Sequence, residues 1–232
     1  MRVVIIGAGG HAQVVADILL HRQGRGEAFQ PLGYVDDRLS LQGRVVLGLP
    51  VLGTLRDLPN IAHDGAIIAI GDNAIRARVF ALLQESGETL VNAIHPTAVV
   101  APDVSLGVGV MVCAGAVINT GTCVGDNVIL NTSCSIDHHN TIGSHAHIAP
   151  GVHLGGNVQV GIGAFLGIGA AIIPERVVGH WAIVGAGAVV ISDIPAWTTW
   201  VGNPAQAIQQ TKSRGETPRL NIVRNEQLKK SA

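Results

Sequence analysis

A six-residue alternation of aliphatic and small residues runs through the second half of the chain. From Ile94 to Val190, every sixth residue is Ile, Val or Leu, over seventeen consecutive hexapeptides. The next position is most often Gly, and the fifth position is usually small or apolar. Short strands joined by sharp turns fit this period, because Gly and Asn accept the backbone conformations of a tight corner. Three hexapeptides make one triangular coil, so the pattern predicts nearly six coils stacked through parallel strands.

The first part of the chain alternates strand and helix patterns instead. The apolar run RVVII precedes a glycine turn and the helical stretch HAQVVADILL. PLGYVDD has the pattern of a second strand ending in acids, and GAIIAIGDNAIRARVFALLQESG predicts a strand, a loop and a helix. This alternation predicts a small Rossmann-like α/β domain with a parallel sheet. The expected organisation is an α/β domain over residues 1–91, a β-helix over 92–208 and a polar tail over 209–232.

Composition agrees with a stacked aliphatic core and excludes some classes of partner. Hydrophobic residues make up 47% of the chain and aromatic residues 3%, as expected for repeated small aliphatic layers. The formal net charge of −1 gives no electrostatic case for binding nucleic acid or a membrane. The three cysteines have no CxxC spacing and no apolar run is long enough to cross a bilayer. We therefore expect a soluble cytoplasmic protein.

The segment GAGGHA follows the first strand and resembles a phosphate-binding turn. Gly7, Gly9 and Ala12 occupy its three key places. Glycines let a phosphate approach the backbone, and the following helix N-terminus supplies N–H donors and a positive dipole end. A tight turn with packing glycines only is the alternative.

The ligand of this turn is predicted to be a nucleotide sugar rather than NAD. The domain is short for a full dinucleotide fold, and no hydride-transfer site is evident further on. His11 is a candidate donor to a diphosphate, and Asp36 or Asp37 would accept from a base or ribose. Arg76 is expected on the surface of its helix. The predicted nucleotide-binding residues are Gly9, Gly10, His11, Asp36, Asp37, Gly71, Asp72 and Asn73.

Five of the ten histidines lie in one stretch of the repeat, SIDHHNTIGSHAHIAPGVH. A zinc site needs converging ligands, usually three or four from the protein. Stacking by eighteen residues puts these histidines in different columns, so we predict no metal site among them. Histidine also suits general base chemistry near neutral pH.

Taken together, the two halves resemble the bacterial nucleotide-amino-sugar N-acetyltransferases and their sialic acid O-acetyltransferase relatives. The resemblance covers roughly residues 2–208 and is carried by GAGGHAQVV, YVDD, AIGDNAIR, ILNTSCSIDHHNTIG, SHAHIAPG, GGNVQVGIGAFLGIGAAI and VGNPA. It implies a left-handed β-helix, acetyl-CoA as co-substrate without a bound cofactor, and a homotrimer with active sites between subunits. The implied acceptor is the amine of a UDP-, GDP- or dTDP-linked 4-amino-4,6-dideoxy sugar, used in glycan biosynthesis.

The resemblance also implies roles for particular residues. His138 takes the position of the catalytic base, and Gly156, one coil above it, is the candidate N–H donor to the oxyanion. His139 stands where the family has an acid that orients the base, which leaves Asp137 as a candidate orienting acid. Asn131 matches a family residue near the sugar. The candidates for contact with acetyl-CoA are His147, Gly167, Gly185 and Trp181.

Three alternatives remain open at this point. O-acetylation of a sialic acid or similar sugar uses a poorer nucleophile, and the missing acid beside His138 argues against it. A metal hydratase of the β-helix carbonic anhydrase kind is disfavoured by the histidine spacing. A non-catalytic nucleotide-binding scaffold would not need His138 at all.

Overall fold

The computed structural model describes residues 1–210, so the predicted tail lies almost wholly outside the described residues. The N-terminal part is a five-stranded sheet with strand order β3-β4-β2-β1-β5. Strands β1, β2, β4 and β5 are parallel, and β3 pairs antiparallel to β4. Its elements are β1 (Arg2–Ile6), α1 (Gly10–Gly24), β2 (Gln30–Val35), β3 (Val45–Val46), β4 (Leu49–Gly53), β5 (Gly65–Ile68) and α2 (Asn73–Glu85), with 3₁₀ turns at Leu39–Leu41 and Leu55–Asn60.

The two helices cover opposite faces of this sheet. Apolar residues of α1, such as Val15 and Leu19, pack with Val3 and Ile5 of β1. On the other face, Phe80 and its neighbours on α2 pack against Val4, Ile6 and Ile68. The parallel sheet is therefore buried on both sides, as its nearly continuous apolar strands require.

From residue 93 onward the chain forms a triangular prism of two-residue strands. From residue 93 to residue 172, each strand pairs with the strand eighteen residues later, as in Val117 with Ser135 and Ser135 with His153. The strands are β6 (Ala93–Ile94), β7 (Val99–Val100), β8 (Ser105–Leu106), β9 (Met111–Val112), β10 (Val117–Ile118), β11 (Cys123–Val124), β12 (Ile129–Leu130), β13 (Ser135–Ile136), β14 (Thr141–Ile142), β15 (His147–Ile148), β16 (His153–Leu154), β17 (Gln159–Val160), β18 (Phe165–Leu166), β19 (Ala171–Ile172), β20 (Val177–Val178), β21 (Ile183–Val184) and β22 (Val189–Val190). The hairpin β23 (Thr198–Val201) and β24 (Gln206–Gln210) ends the described chain.

The prism core consists of the residues that the six-residue period predicted. From Val112 onward every first-position residue of a hexapeptide is buried, and most fifth-position residues join it. This arrangement confirms the predicted fold class, an α/β domain followed by a left-handed parallel β-helix.

The three prism faces have different neighbours. The face that contains β9, β12 and β15 lies against α1, which buries the outward side chains of Met111, Cys113 and Ile129. The second face contains β10, β13 and β16, and the third contains β11, β14 and β17.

Among residues 1–210, no helix is both long enough and apolar enough to cross a membrane.

Candidate active site

A cavity of about 630 Å³ opens at the carboxyl ends of β1, β2 and β5. In parallel α/β sheets, ligands bind at this edge. Six of the predicted nucleotide-binding residues line the cavity, namely Gly9, Gly10, His11, Asp36, Asp37 and Gly71. Two arginines that the sequence analysis did not single out, Arg38 and Arg78, line it as well, and Arg38 forms an ion pair with Asp36.

The glycine turn gives the cavity an anion-binding floor. Gly7 has a φ of +103°, and a Cβ there would lie 3.1 Å from the carbonyl oxygen of Ala69. Helix α1 begins at Gly10 with Gly9 as its N-cap, and no side chain caps it. The first N–H groups of α1 therefore remain available to a phosphate.

Asp36 holds this turn in place. Its carboxylate accepts hydrogen bonds from the backbone N–H of Ala8 at 2.8 Å and from Arg38 Nε and Nη2 at 2.9 and 2.8 Å. The bonds from the Arg38 side chain lower the pKa of Asp36 to about 2. Asp37 accepts from the backbone N–H of Leu55 at 2.9 Å. Both acids are thus at the cavity, and each already carries a hydrogen bond within the chain.

Asp72 and Asn73 lie beside the cavity but have other partners. Asp72 is the N-cap of α2 and accepts from the backbone N–H of Ile75 at 2.8 Å. The Asn73 amide donates to the carbonyls of Gly163 and Ala164 at 3.0 and 3.1 Å, so it ties α2 to a corner of the prism. Their predicted contact with the nucleotide stays a prediction.

Arg76 is fully buried, so its expected surface position is wrong. Its guanidinium donates to the carbonyls of Asn127 and His145 on the prism corner, at 3.1 and 2.8 Å. It also donates to the carbonyls of Ile70 and Gly71 at the end of β5, at 3.1 and 3.3 Å. Burial lowers its pKa to about 10. A cation in this position joins the cavity loop to the prism.

His11, which lines the cavity, lies next to the buried His147 of the prism. The rings of His11 and His147 are 6.2 Å apart, and His147 is only 8% exposed. Burial, reinforced by the charge of Arg76, lowers the pKa of His11 to about 4 and that of His147 to about 3. His147 Nε2 lies 3.1 Å from the amide nitrogen of Asn131. Both rings are therefore neutral at pH 7 and suited to hydrogen bonding a substrate.

His138 stands on an exposed corner of the prism. Its ring covers the α-carbon of Gly156, and a Cβ at Gly156 would collide with ring atoms Cε1 and Nε2. No partner within residues 1–210 accepts the Gly156 N–H. The predicted stacking of these two residues is present in the structure, although their catalytic roles stay predictions.

The partner of the His138 ring is a second histidine. His138 Nδ1 lies 3.1 Å from His139 Nδ1. The Asp137 carboxylate instead accepts from the backbone N–H of His138, at 2.8 Å, and from the Asn119 side chain, at 3.2 Å. Within the described chain no carboxylate hydrogen-bonds the His138 ring.

Two groups of candidate residues therefore lie at different places on one chain. His138, His139 and Gly156 occupy the corner between the second and third prism faces, whereas His147, next to the cavity residue His11, lies on the first face. A triangular cross-section puts that corner opposite the face on which α1 packs. One chain alone does not bring its own His138 to its own cavity.

The candidates for contact with acetyl-CoA lie higher on the prism. Gly167 and Gly185 are one coil apart. A Cβ at Gly167 would lie 2.6 Å from the backbone nitrogen of Ala186, so close packing of the coils already explains glycine there. Trp181 stacks on Trp197 with ring centroids 5.7 Å apart, on the corner that Asn73 contacts. Contact of these residues with the co-substrate stays a prediction.

The chain is similar to known proteins both in its N-terminal domain and over most of its length. Residues 2–83 match the family model described as the PglD N-terminal domain. The chain is 41% identical to perosamine N-acetyltransferase from Caulobacter crescentus, whose structure was solved with CoA and GDP-perosamine. That match covers 90% of this chain and 97% of the other, with a TM-score of 0.83.

Two further structures are similar. The acetyltransferase domain of PglB from Neisseria gonorrhoeae, solved with acetyl coenzyme A, is 37% identical. The match covers 89% of this chain and 98% of that domain, with a TM-score of 0.83. WeeI from Acinetobacter baumannii is 24% identical over 90% of this chain and all of its own, with a TM-score of 0.59, and shares the fold.

Proposed function

Because the chain belongs to the bacterial nucleotide-amino-sugar N-acetyltransferases, we propose that it acetylates the amine of a nucleotide-linked 4-amino-4,6-dideoxy sugar. Acetyl-CoA is the donor, and GDP-perosamine, the sugar nucleotide bound by the Caulobacter relative, is the first acceptor to test. The 41% identity over 90% of the chain carries this proposal. The reaction belongs in the cytoplasm, where acetyl-CoA and nucleotide sugars are made.

The cavity provides for the nucleotide half of the acceptor. The N–H groups at the start of α1, together with Arg78, suit the two negative phosphates of a diphosphate, and Arg38 lies beside them in its ion pair with Asp36. Neutral His11 and His147, with Asn131 beside them, offer hydrogen bonds where the sugar would leave the cavity towards the prism.

His138 is assigned as the general base. In this assignment its Nδ1–H donates to His139 Nδ1, which leaves the lone pair of Nε2 to take a proton from the attacking amine. The amine nitrogen forms a bond to the thioester carbon, and the carbonyl oxygen becomes an oxyanion opposite the Gly156 N–H. The carbon–sulfur bond then breaks, the amide is released, and the CoA thiolate receives a proton.

A trimer would complete this site. On one chain His138 lies on the corner opposite the face against which the α/β domain packs. Packing the prisms around a threefold axis would bring the His138 corner of one subunit to the cavity of its neighbour. We therefore assign the active site to the interface between two subunits.

The proposal is tested by following thiol release from acetyl-CoA with UDP-, GDP- and dTDP-linked 4-amino sugars. Wild type should turn over at least one of them, and His138→Ala should lower kcat by about 10²–10⁴-fold, the usual contribution of a general base. His153→Ala is the matched control, because His153 is an exposed prism histidine bonded to Ser135 Oγ.

Other outcomes contradict the proposal in distinct ways. Turnover only with hydroxylated sugar acids would identify an O-acetyltransferase. Full activity in His138→Ala would remove the base assignment while leaving the substrate class. Nucleotide-sugar binding without any acetyl transfer would favour a scaffold.

A further inference from the structure

Three side chains able to bind a metal meet where α1 lies against the first coil of the prism. Asp17 and His21 are one turn apart on α1, and His95 directly follows β6. One ligand atom from each lies within 4.8 Å of the other two. His21 Nδ1 is 3.3 Å from Asp17 Oδ1, and the two imidazole rings are 5.1 Å apart. None of these residues belongs to the acetyl-transfer machinery assigned above.

His95 is the buried member of this cluster. It is 8% exposed, and its Nε2 has no hydrogen-bond partner within residues 1–210. The unpartnered Nε2 of His95 is therefore available as a ligand atom.

Thr97 can orient His95 for coordination. Its hydroxyl oxygen lies 2.8 Å from His95 Nδ1, so it can accept a proton held there while Nε2 presents a lone pair. Such outer hydrogen bonds to metal-binding histidines are the common arrangement. The backbone N–H of Thr97 also donates to His95 Nδ1, at 3.1 Å, and this hydrogen bond breaks when Nδ1 carries the proton. Breaking it lowers the affinity for the metal ion but leaves the three ligand side chains in place.

We propose that Asp17, His21 and His95 form a binding site for a divalent transition-metal ion of the zinc class. Two imidazole nitrogens and one carboxylate oxygen suit Zn²⁺ or Co²⁺, whereas Mg²⁺ and Ca²⁺ prefer oxygen ligands throughout. Water would fill the remaining coordination positions. The nearby cation Arg25, which donates to the Pro96 carbonyl at 3.4 Å, opposes the charge of the ion and lowers the expected affinity.

The bound ion would cross-link the α/β domain and the prism. Two ligands come from α1 and the third from the start of the first coil, so the ion spans the junction between the two folds. A ligand that binds only the folded chain raises its stability by mass action. Zinc is therefore expected to raise the thermal midpoint of the protein independently of acetyl transfer.

The test uses the full chain, purified without an affinity tag and stripped with EDTA. Titration with Co²⁺, followed by visible absorption, should show one ion per chain that Zn²⁺ displaces. Asp17→Asn and His21→Gln, both at exposed positions, should each abolish that signal. Thr97→Val should weaken binding about tenfold, and Thr97→Ser should restore it. His153→Gln, which changes an exposed histidine elsewhere, should bind as the wild type does.

Two results would overturn the site. One is the absence of Co²⁺ binding at millimolar concentration. The other is unchanged binding in the Asp17→Asn/His21→Gln double variant, which would put the ion elsewhere, such as the His138–His139 pair. Acetyl transfer by the double variant should match the wild type, so failure of this site and failure of the proposed reaction are distinguishable.

Discussion

At the scale of single residues, the prism holds histidines of two kinds. His138 and His139 are exposed on a corner and touch each other, whereas His147 is buried on the face next to the α/β domain. His153 occupies the same position in its hexapeptide as His147 but is exposed on the second face, so the burial of His147 comes from what covers its face. Burial under the other domain gives His147 a depressed pKa, and this has a consequence for stability.

We expect the free energy of unfolding to fall as the pH drops below about 6.5. The pKa of His147 is about 3 in the folded chain, below its ordinary value, so the unfolded chain binds the proton first. Between pH 6.5 and 4.5 this one site should remove about 2 kcal/mol of stability. Urea unfolding of His147→Gln should show a flatter pH dependence, and His153→Gln should keep the wild-type slope. Parallel curves for wild type and His147→Gln would contradict this account.

A second expectation concerns His139. A neutral imidazole accepts the Nδ1–H of His138, but it stabilises the protonated base less than a carboxylate would. His139→Glu, which supplies the carboxylate, should therefore shift the acidic limb of the kcat profile to higher pH. His139→Ala should lower kcat several-fold. If both variants keep the wild-type profile, His139 does not orient the base.

The residues found and missed by sequence reasoning differ in a physical way. The contact between His138 and Gly156 follows from an eighteen-residue stack and needs only counting. The burial of Arg76 follows from carbonyl groups of Asn127 and His145, more than fifty positions away. No local pattern encodes such a partner, so an arginine in an amphipathic helix looked like a surface residue.

At the scale of elements, most of the fold could be predicted from the sequence, because the β-helix and the α/β domain have hydrophobic patterns with different periods. The hexapeptides predicted the inward rows of the prism, and the alternation of strand and helix predicted the α/β sheet. The short antiparallel strand β3, Val45–Val46, gave no such signal. The sequence also did not predict how α2 packs on the prism. Asn73 and Arg76 donate hydrogen bonds to backbone carbonyls there, and a backbone carbonyl leaves no mark in the sequence.

This docking yields a prediction for α2. Arg76→Met keeps much of the buried stem but leaves the carbonyls of Gly71 and His145 without their donor. We expect a loss of about 3 kcal/mol in the free energy of unfolding, since each unsatisfied buried group costs about 1–3 kcal/mol. Urea unfolding measures it, with the exposed Arg56→Met as control. Arg76→Lys should recover part of the loss, and equal stability of Arg76→Met and wild type would show that the bonds contribute nothing net.

At the scale of the whole molecule, the separation of His138 from the cavity makes assembly testable. Sedimentation should give a particle three times the 24.0 kDa chain. Gly10→Asp has room for its side chain and puts a negative charge at the phosphate end of α1, so it should be inactive, as should His138→Ala.

Mixing these two inactive variants during assembly should restore activity. An interface that combines an intact His138 with an intact cavity then forms in about a quarter of cases by random assortment. Thiol release by the mixture measures it, with each variant assembled alone as the control. If the mixture forms trimers but releases no thiol, the active site lies within one chain.

The constant spacing of the prism strands has consequences for how the prism folds and for which insertions it tolerates in evolution. From β6 to β22 each pairing closes a loop of the same short length, so the entropic cost of closure does not grow as the prism lengthens. Coils can be added to a first nucleus one by one, as in a one-dimensional crystal. Duplicating one whole coil would add one layer and keep the strand pairing of the prism in register. Inserting a single residue would turn all later side chains to the wrong face, so viable changes of length come in steps of one coil.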